Sequence, residues 1–214
     1  MAQNAHNPKD SYDQIVEEYT ERNFHELDHK PKDRELLDRL VAEVNSLGPI
    51  CDMGCGPGEV ARYLKDRGAD ALGVDLSPKM VEKARQLSPD IRFSVGDMMH
   101  LEEADNTWGG IAAFYSIIHI PRDSVVDALR ELKRVLKPGG LLLLAIHLGS
   151  GTLHLDDWLG KKVSIDTYFF TSEEMKGYLT ATGLVIEDVI ERPPYPDVEY
   201  QGPRTYIFAR KPVR

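Results

Sequence analysis

"ICDMGCGPGE", residues 50–59, places Gly54, Gly56 and Gly58 within five positions, with Asp52 just before them and Glu59 just after. Glycine tolerates positive φ and lets a ligand approach the backbone closely, so such a loop can cradle a phosphate, close a turn or shelter another ligand. A P-loop needs a Gly-Lys-Ser/Thr ending, and no glycine here is followed by one. The dinucleotide pattern G-x-G-x-x-G/A fits Gly54 and Gly56, but its third place falls on Glu59. A diphosphate would face Asp52 and Glu59 with no cation before Arg62. Like charges about 4 Å apart repel by roughly 1 to 4 kcal/mol, depending on dielectric. The remaining reading is a cationic ligand, with the Asp52 carboxylate at a strand end meeting an ammonium or sulfonium.

On either side of the loop, short apolar runs alternate with helical spacing. "PICDM" reads as a strand, "EVARYLKDRG" as a helix closed by Gly68, and "DALGVDL" as a strand. "SPKMVEKARQLS" is a helix with Ser77 as N-cap and Pro78 in its first turn. "IRFSVGD" and "WGGIAAFYS" are strands. "PRDSVVDALRELKRVL" is a helix stopped by Pro138-Gly139-Gly140, and "LLLLAIH" is a buried strand. Strands separated by helices predict a parallel sheet covered on both faces. Upstream, residues 11–24 carry Tyr12, Ile15, Val16 and Tyr19 at helical spacing, and a second helix is predicted over about 32–46. Downstream, residues 148–170 form a polar and aromatic insertion without a clear period. A helix with a capping box follows, from Thr171 to Glu174 or from Ser172 to Met175. "LVIEDVIE" and "RTYIFAR" then pair as an antiparallel hairpin. The expected fold is α/β, a doubly wound sheet of about seven strands, mostly parallel with one antiparallel strand. The expected organisation is a single domain over 1–214. Its N-terminal helical cap covers 1–46, and insertions at 148–170 and 193–203 cover an acceptor site.

Three acids end three successive strands. Asp52 is placed for an ammonium, Asp75 to accept from two ribose hydroxyls, and Asp97 to accept from the amine of adenine with Met98 packed on the ring. That set describes S-adenosylmethionine (SAM). The blocks "CDMGCGPGEVARYL", "GVDLSPKMVEKAR", "FSVGDMMHL", "AFYSIIHIP" and "ELKRVLKPGGLLLLAIH" run in order from about 50 to 147. In them the chain resembles the class I SAM-dependent methyltransferases, in the group that includes small-molecule and ubiquinone/menaquinone-pathway enzymes. The resemblance implies that Asp52, Gly54, Gly56 and Gly58 contact the methionine end and that Asp75 holds the ribose. It implies that Asp97 and Met98 hold adenine, with Leu76, Met80, Phe114 and Tyr115 in the same pocket and S-adenosylhomocysteine as product. Tyr12 and Tyr19 match an N-terminal tyrosine pattern that closes over the cofactor in such enzymes.

Composition bounds the rest. With 35 Asp and Glu against 26 Lys and Arg, the formal charge is −9, which disfavours long-range attraction to nucleic acid or anionic membrane. The polar start "MAQNAHNPKD" has no leader core, and "GLLLLAI" is far short of the ~20 residues that span a bilayer. Cys51 and Cys55 lack partners at zinc spacing, so no metal site is expected and the chain is read as cytoplasmic with reduced thiols.

The expected reaction is methyl transfer to an O or N atom of a small-molecule acceptor by in-line displacement. It depends on alignment more than on acid–base help. His119 and His147 are the candidate catalytic histidines. The resemblance raises the odds that His119 lines the site, and the bland alternative is that it only shapes the pocket. His154, Trp158, Tyr168 and Tyr195 are candidates for binding an acceptor, and the aromatic walls suit an aromatic one. The same region could instead meet a second subunit of a homodimer. Two other functions compete: a non-catalytic SAM-binding regulatory or scaffold protein, and a nicotinamide-dependent reductase, disfavoured by Glu59.

Overall fold

The computed structural model describes residues 8–213. The polar start over residues 1–7, and that part of the expected cap, lie outside the described residues. In chain order the elements are α1 (Pro8–Tyr12), α2 (Val16–Asn23), α3 (Pro31–Val44), β1 (Ile50–Met53), α4 (Glu59–Asp66), β2 (Ala71–Asp75), α5 (Pro78–Leu87), β3 (Arg92–Val95) and β4 (Trp108–Phe114). They continue with α6 (Val125–Val135), β5 (Leu136–His147), β6 (Thr152–Trp158), β7 (Lys161–Tyr168), α7 (Ser172–Ala181), β8 (Val185–Arg192) and β9 (Arg204–Arg210). Short 3-10 turns cover Glu26–His29 and Ile117–His119.

One seven-stranded sheet has the order β3-β2-β1-β4-β5-β9-β8. Strands β1 to β5 pair in parallel, and β9 runs antiparallel to both β5 and β8. It is the α/β, doubly wound, mostly parallel sheet with one antiparallel strand expected from the sequence. Alternate side chains of the central strands serve opposite faces. Met53, Ile111, Leu142, Leu144 and Ile207 pack under α6 and α7, with Leu129, Leu132, Met175 and Leu179. Ile50, Ala112, Leu141, Leu143 and Phe208 pack under α3 and α4, with Leu36, Leu40, Val60 and Leu64. Each fully buried leucine contributes about 1.5–3 kcal/mol, so "LLLL" in β5 nails both layers to the sheet.

Two predicted elements differ. The single helix over 11–24 is broken between Tyr12 and Val16, and Asp13 leaves helical geometry to take another partner. Its Oδ1 accepts from Ser77 Oγ at 2.5 Å, at the N-terminus of α5. The insertion at 148–170 is ordered as the β6–β7 antiparallel hairpin, with a register shift between Leu155 and Asp157. That shift breaks the alternation by which a strand is read. Ile15, Val163 and Ile165 form a small core of their own, so the hairpin rests on the N-terminal segment and, through the Asp166 carbonyl, on His119.

Of the two possible capping frames at α7, Thr171 is the N-cap, and its Oγ1 accepts from Glu174 N at 3.1 Å. Thr171→Ala should lower the unfolding free energy in urea by about 0.5–2 kcal/mol, with Thr171→Ser recovering most of it.

Candidate active site

The glycine loop turns the chain from β1 into α4 at positions only glycine suits. Gly54 has φ +73°, and a Cβ there would stand 2.3 Å from the Cβ of Ser116. Gly58 has φ +90°, and its Cβ would stand 2.9 Å from Cζ of Phe93. Two carboxylates brace the turn, Asp52 buried and Asp75 half-buried. Asp75 accepts from Gly56 N through Oδ2 and from Ser77 N through Oδ1, both at 2.8 Å. Asp52 Oδ2 accepts from Ala61 N at 2.9 Å. Burial pushes the Asp52 carboxyl up to about 8, with the Ala61 amide opposing and the charge of Asp75 adding. Burial also raises Asp75, against the pull of the Ser77 and Gly56 amides.

Above the loop lie two cavities. The first runs along the ends of β1, β2 and β4. Its charged lining is Lys9, Glu26, Glu59, Asp75 and Asp97, and Lys9 is paired with Asp13 at 3.0 Å. Glu26 is paired with Lys30, which leaves Glu59, Asp75 and Asp97 facing one neutralised lysine, a lining that suits a cationic ligand and opposes a diphosphate. A Cβ on Gly56 would meet only Cε1 of Tyr19, at 3.6 Å, so the loop is open toward this space. These features fit SAM. Asp75 has spare lone pairs for ribose hydroxyls, and Met98 and Leu76 supply apolar walls for a base.

The second cavity lies under the β6–β7 hairpin and is walled by Trp158, Phe169, Tyr200 and His147, with Lys30, Glu199 and Arg204 at its polar end. The two cavities share Tyr12, Tyr19, Glu26, Tyr115 and His119. Tyr115, in the left-handed region at φ +52°, carries its ring between the two spaces. That ring stacks on His147 with centroids 4.9 Å apart.

The residues expected from the sequence divide accordingly. Tyr12, Tyr19, Gly54, Gly56, Asp75, Leu76, Asp97, Met98, Phe114, Tyr115 and His119 all line the first cavity. Three cofactor candidates stand behind its wall. Asp52 turns its carboxylate under α4, Gly58 packs on Phe93, and Met80 is buried in α5 with its amide donating to Ser77 Oγ at 3.1 Å. His147 and Trp158 line the second cavity only.

Three acceptor candidates line neither cavity. His154 is exposed on the hairpin, with Nδ1 2.7 Å from Asp166 Oδ1, a bond that raises its pKa. Tyr168 sits beside the Arg122 guanidinium, 5.7 Å from its ring. Tyr195 accepts from Lys32 N at 3.0 Å. Missed altogether were Glu26, Lys30 and Arg204, which sit in a turn and at a strand start where no periodic signal reaches.

His119 is held at both nitrogens. Nδ1 is 2.8 Å from the carbonyl of Asp166, which can only accept, so Nδ1 carries the proton and Nε2 accepts from the Tyr12 hydroxyl at 2.9 Å. Burial lowers its pKa, with the Asp166 carbonyl and carboxylate opposing, so the ring is neutral and basic at Nε2. His147 is a different case. Burial, then the charges of Arg204 and Lys30, push it down to about 3, and its Nδ1 is buried without a partner. It is therefore a poor base and a wall of the second cavity.

Beneath it, Glu199 pairs with Arg204 at 2.8 Å and Arg192 at 2.5 Å, and Lys30 with Glu26 at 2.8 Å. Burial works against Glu199. Even so, Arg192, the Tyr195 amide, Arg204 and Lys30 hold its carboxyl below the usual range.

Residues 50–140 match the methyltransferase domain family. With the strand order above, the matched span carries the fold of the class I SAM-dependent methyltransferases. It is 38% identical over 127 residues to methyltransferase GfsG of Streptomyces halstedii, covering 56% of this chain and 44% of that one. It is 32% identical over 124 residues to the malonyl-[acyl-carrier protein] O-methyltransferase of Enterobacter lignolyticus, covering 55% and 47%. The chain thus spans about half the length of the curated relatives it matches. In fold it is similar to a SAM-dependent methyltransferase from Methanosarcina mazei, with TM-score 0.73 at 18% identity over 81% of this chain and 96% of that one.

Because the folded His147 titrates far below an unfolded histidine, near 6.5, the unfolded state takes up its proton first as pH falls. Wild type should lose up to about 1.4 kcal/mol per pH unit from this group between roughly pH 6 and 4. His147→Phe should be spared that loss, so the stability gap between the two must shift toward the variant on acidification, as read by urea unfolding at each pH.

Proposed function

We propose that this chain transfers the methyl group of SAM to an O or N atom of a small organic acceptor held in the second cavity. The observation that carries this reading is the shared wall. Tyr12, Tyr19, Glu26, Tyr115 and His119 border both spaces, so a donor in one and an acceptor in the other meet there. SAM, bound along the strand ends, supplies a methyl group already activated on a sulfonium. Asp75 orients the ribose, Asp97 and Met98 frame the adenine, and the glycine loop meets the amino-acid arm.

The chain's own work is alignment and water exclusion. The N-terminal helices, the 148–170 hairpin and the 193–203 loop cover the acceptor. Lys161 pairs with Glu18 at 3.0 Å, and Ser11 bonds the backbone of Ser164. Where the acceptor arrives protonated, Tyr12 and His119 can move its proton. The acceptor O–H gives its proton to Tyr12 Oη, whose own proton passes to His119 Nε2, and the resulting imidazolium still donates from Nδ1 to the Asp166 carbonyl. Burial lifts the Tyr12 hydroxyl well above its ordinary value, so it serves as a relay and not as a standing phenolate. Rings on most sides suit a flat, aromatic acceptor. Of the relatives named above, the Enterobacter lignolyticus protein is a malonyl-[acyl-carrier protein] O-methyltransferase, which is compatible with transfer to an O atom. The two cysteines are free and buried, as suits a cytoplasmic protein.

Calorimetric titration with S-adenosylhomocysteine should show a single site. Absence of binding at millimolar ligand would end the proposal. Asp75→Ala should weaken that binding at least tenfold, the loss of about one charge-assisted hydrogen bond. With an acceptor found by screening metabolites against labelled methyl donor, the rate should fall at low pH in wild type. His119→Gln should be slower and lose that dependence, and an unchanged profile would assign His119 to shaping alone.

A further inference from the structure

Given the cofactor reading above, we propose that Glu59 receives the ammonium group of the amino-acid arm, and that Asp52 serves only to brace the loop. The residue type at the end of β1 favoured Asp52, but its carboxylate is turned away under α4, onto the Ala61 amide. Glu59, the first residue of α4, lines the first cavity beside Gly54 and Gly56. Its Oε2 is sealed from solvent and has no hydrogen-bond partner. A buried carboxylate oxygen left unpaired costs about 1–3 kcal/mol or more, so a position that keeps one asks for a donor from outside the chain.

The groups that face Glu59 sharpen the choice. Burial raises its pKa well above the ordinary value, Glu26 and Asp52 raise it further, and its own backbone and Lys30 oppose. Lys30 is the one cation among them, and it is already engaged with Glu26 at 2.8 Å and Glu199 at 3.5 Å. The hydroxyl of half-buried Tyr19 is itself pushed up by desolvation, then by Tyr12 and by the charges of Glu59 and Glu26. Within this setting the missing partner is a cation that donates hydrogen bonds, which is what a primary ammonium offers. A neutral arm would leave Oε2 unpaired. When the ammonium enters, Glu59 gives any proton it holds to solvent and its carboxylate accepts an N–H.

The test is calorimetric binding of two ligands to the full chain. One is S-adenosylhomocysteine, and the other is its desamino analogue, which keeps the carboxylate and lacks only the amine. Wild type should prefer S-adenosylhomocysteine by roughly ten- to a hundredfold, the range of one hydrogen bond to a charged group. Glu59→Gln should lose that preference by weakening S-adenosylhomocysteine alone, whereas Asp52→Asn, which can still accept from Ala61 N, should keep it. The assignment is overturned if Glu59→Gln retains the preference, or if it weakens both ligands equally, which would make Glu59 a brace. Failure of wild type to bind either ligand would instead overturn the cofactor reading, and this assignment with it.

Discussion

The bracing of the glycine loop by two carboxylates, Asp52 buried and Asp75 half-buried, underlies the rest of the molecule. Three left-handed glycines bend the chain tightly from β1 into α4; the amides of Gly54 and Cys55 still reach the Val74 carbonyl of β2, but those of Gly56 in the loop and Ala61 in the first turn of α4 take side-chain acceptors. Asp75 takes the amide of Gly56 and Asp52 takes that of Ala61. Buried amides left unpaired would be costly, so these acids are structural even before a ligand arrives. Asp75 does both jobs. One strand over from the loop, it holds the turn and still faces the first cavity.

The second level of organisation is the wall between the cavities. Its members come from three places: Tyr12 and Tyr19 from the N-terminal helices, Tyr115 and His119 from the turn after β4, and Glu26 from the short helix before α3. What pins them is a set of long-range ties. Asp13 holds the N-terminus of α5 through Ser77, Glu17 meets Lys83 at 2.6 Å, and the hairpin core closes on Ile15. Loosening any of these ties would move the tyrosines before it disturbed the sheet.

The family match ends where most of the second cavity's lining begins. Residues 50–140 supply the loop, the strand-end acids and His119. Most of the second cavity is built outside that span, from α2, Lys30, the β6–β7 hairpin and the segment that ends at Arg204. The half around the first cavity therefore lies mostly within the matched span, and the half around the second cavity mostly outside it. The ion network of Lys30, Asp33, Arg192, Glu199 and Arg204 supports that half from below. With Glu26, which pairs with Lys30, three cations meet three carboxylates, so the network anchors two segments without adding a net charge of its own.

Local chemistry was enough to read the sheet, the helices around it and the strand-end acids, because periodicity, caps and glycine turns are written in neighbouring residues. The run "LLLLAIH" could only be a doubly buried strand, and Ser77-Pro78 could only begin a helix. Local chemistry could not say where a side chain turns once its strand ends. Asp52 and Glu59 are seven residues apart in one loop, yet one carboxylate folds under α4 and the other opens on the cavity. Nor could it show the hairpin, whose broken register hides its alternation and whose stability comes from Ile15, far away in the chain. The sequence by itself determined the class of fold and the end of the sheet where a ligand sits. Tertiary packing alone decided which acid lines the first cavity and that Tyr12 covers His119, because both depend on contacts between residues that share no local pattern.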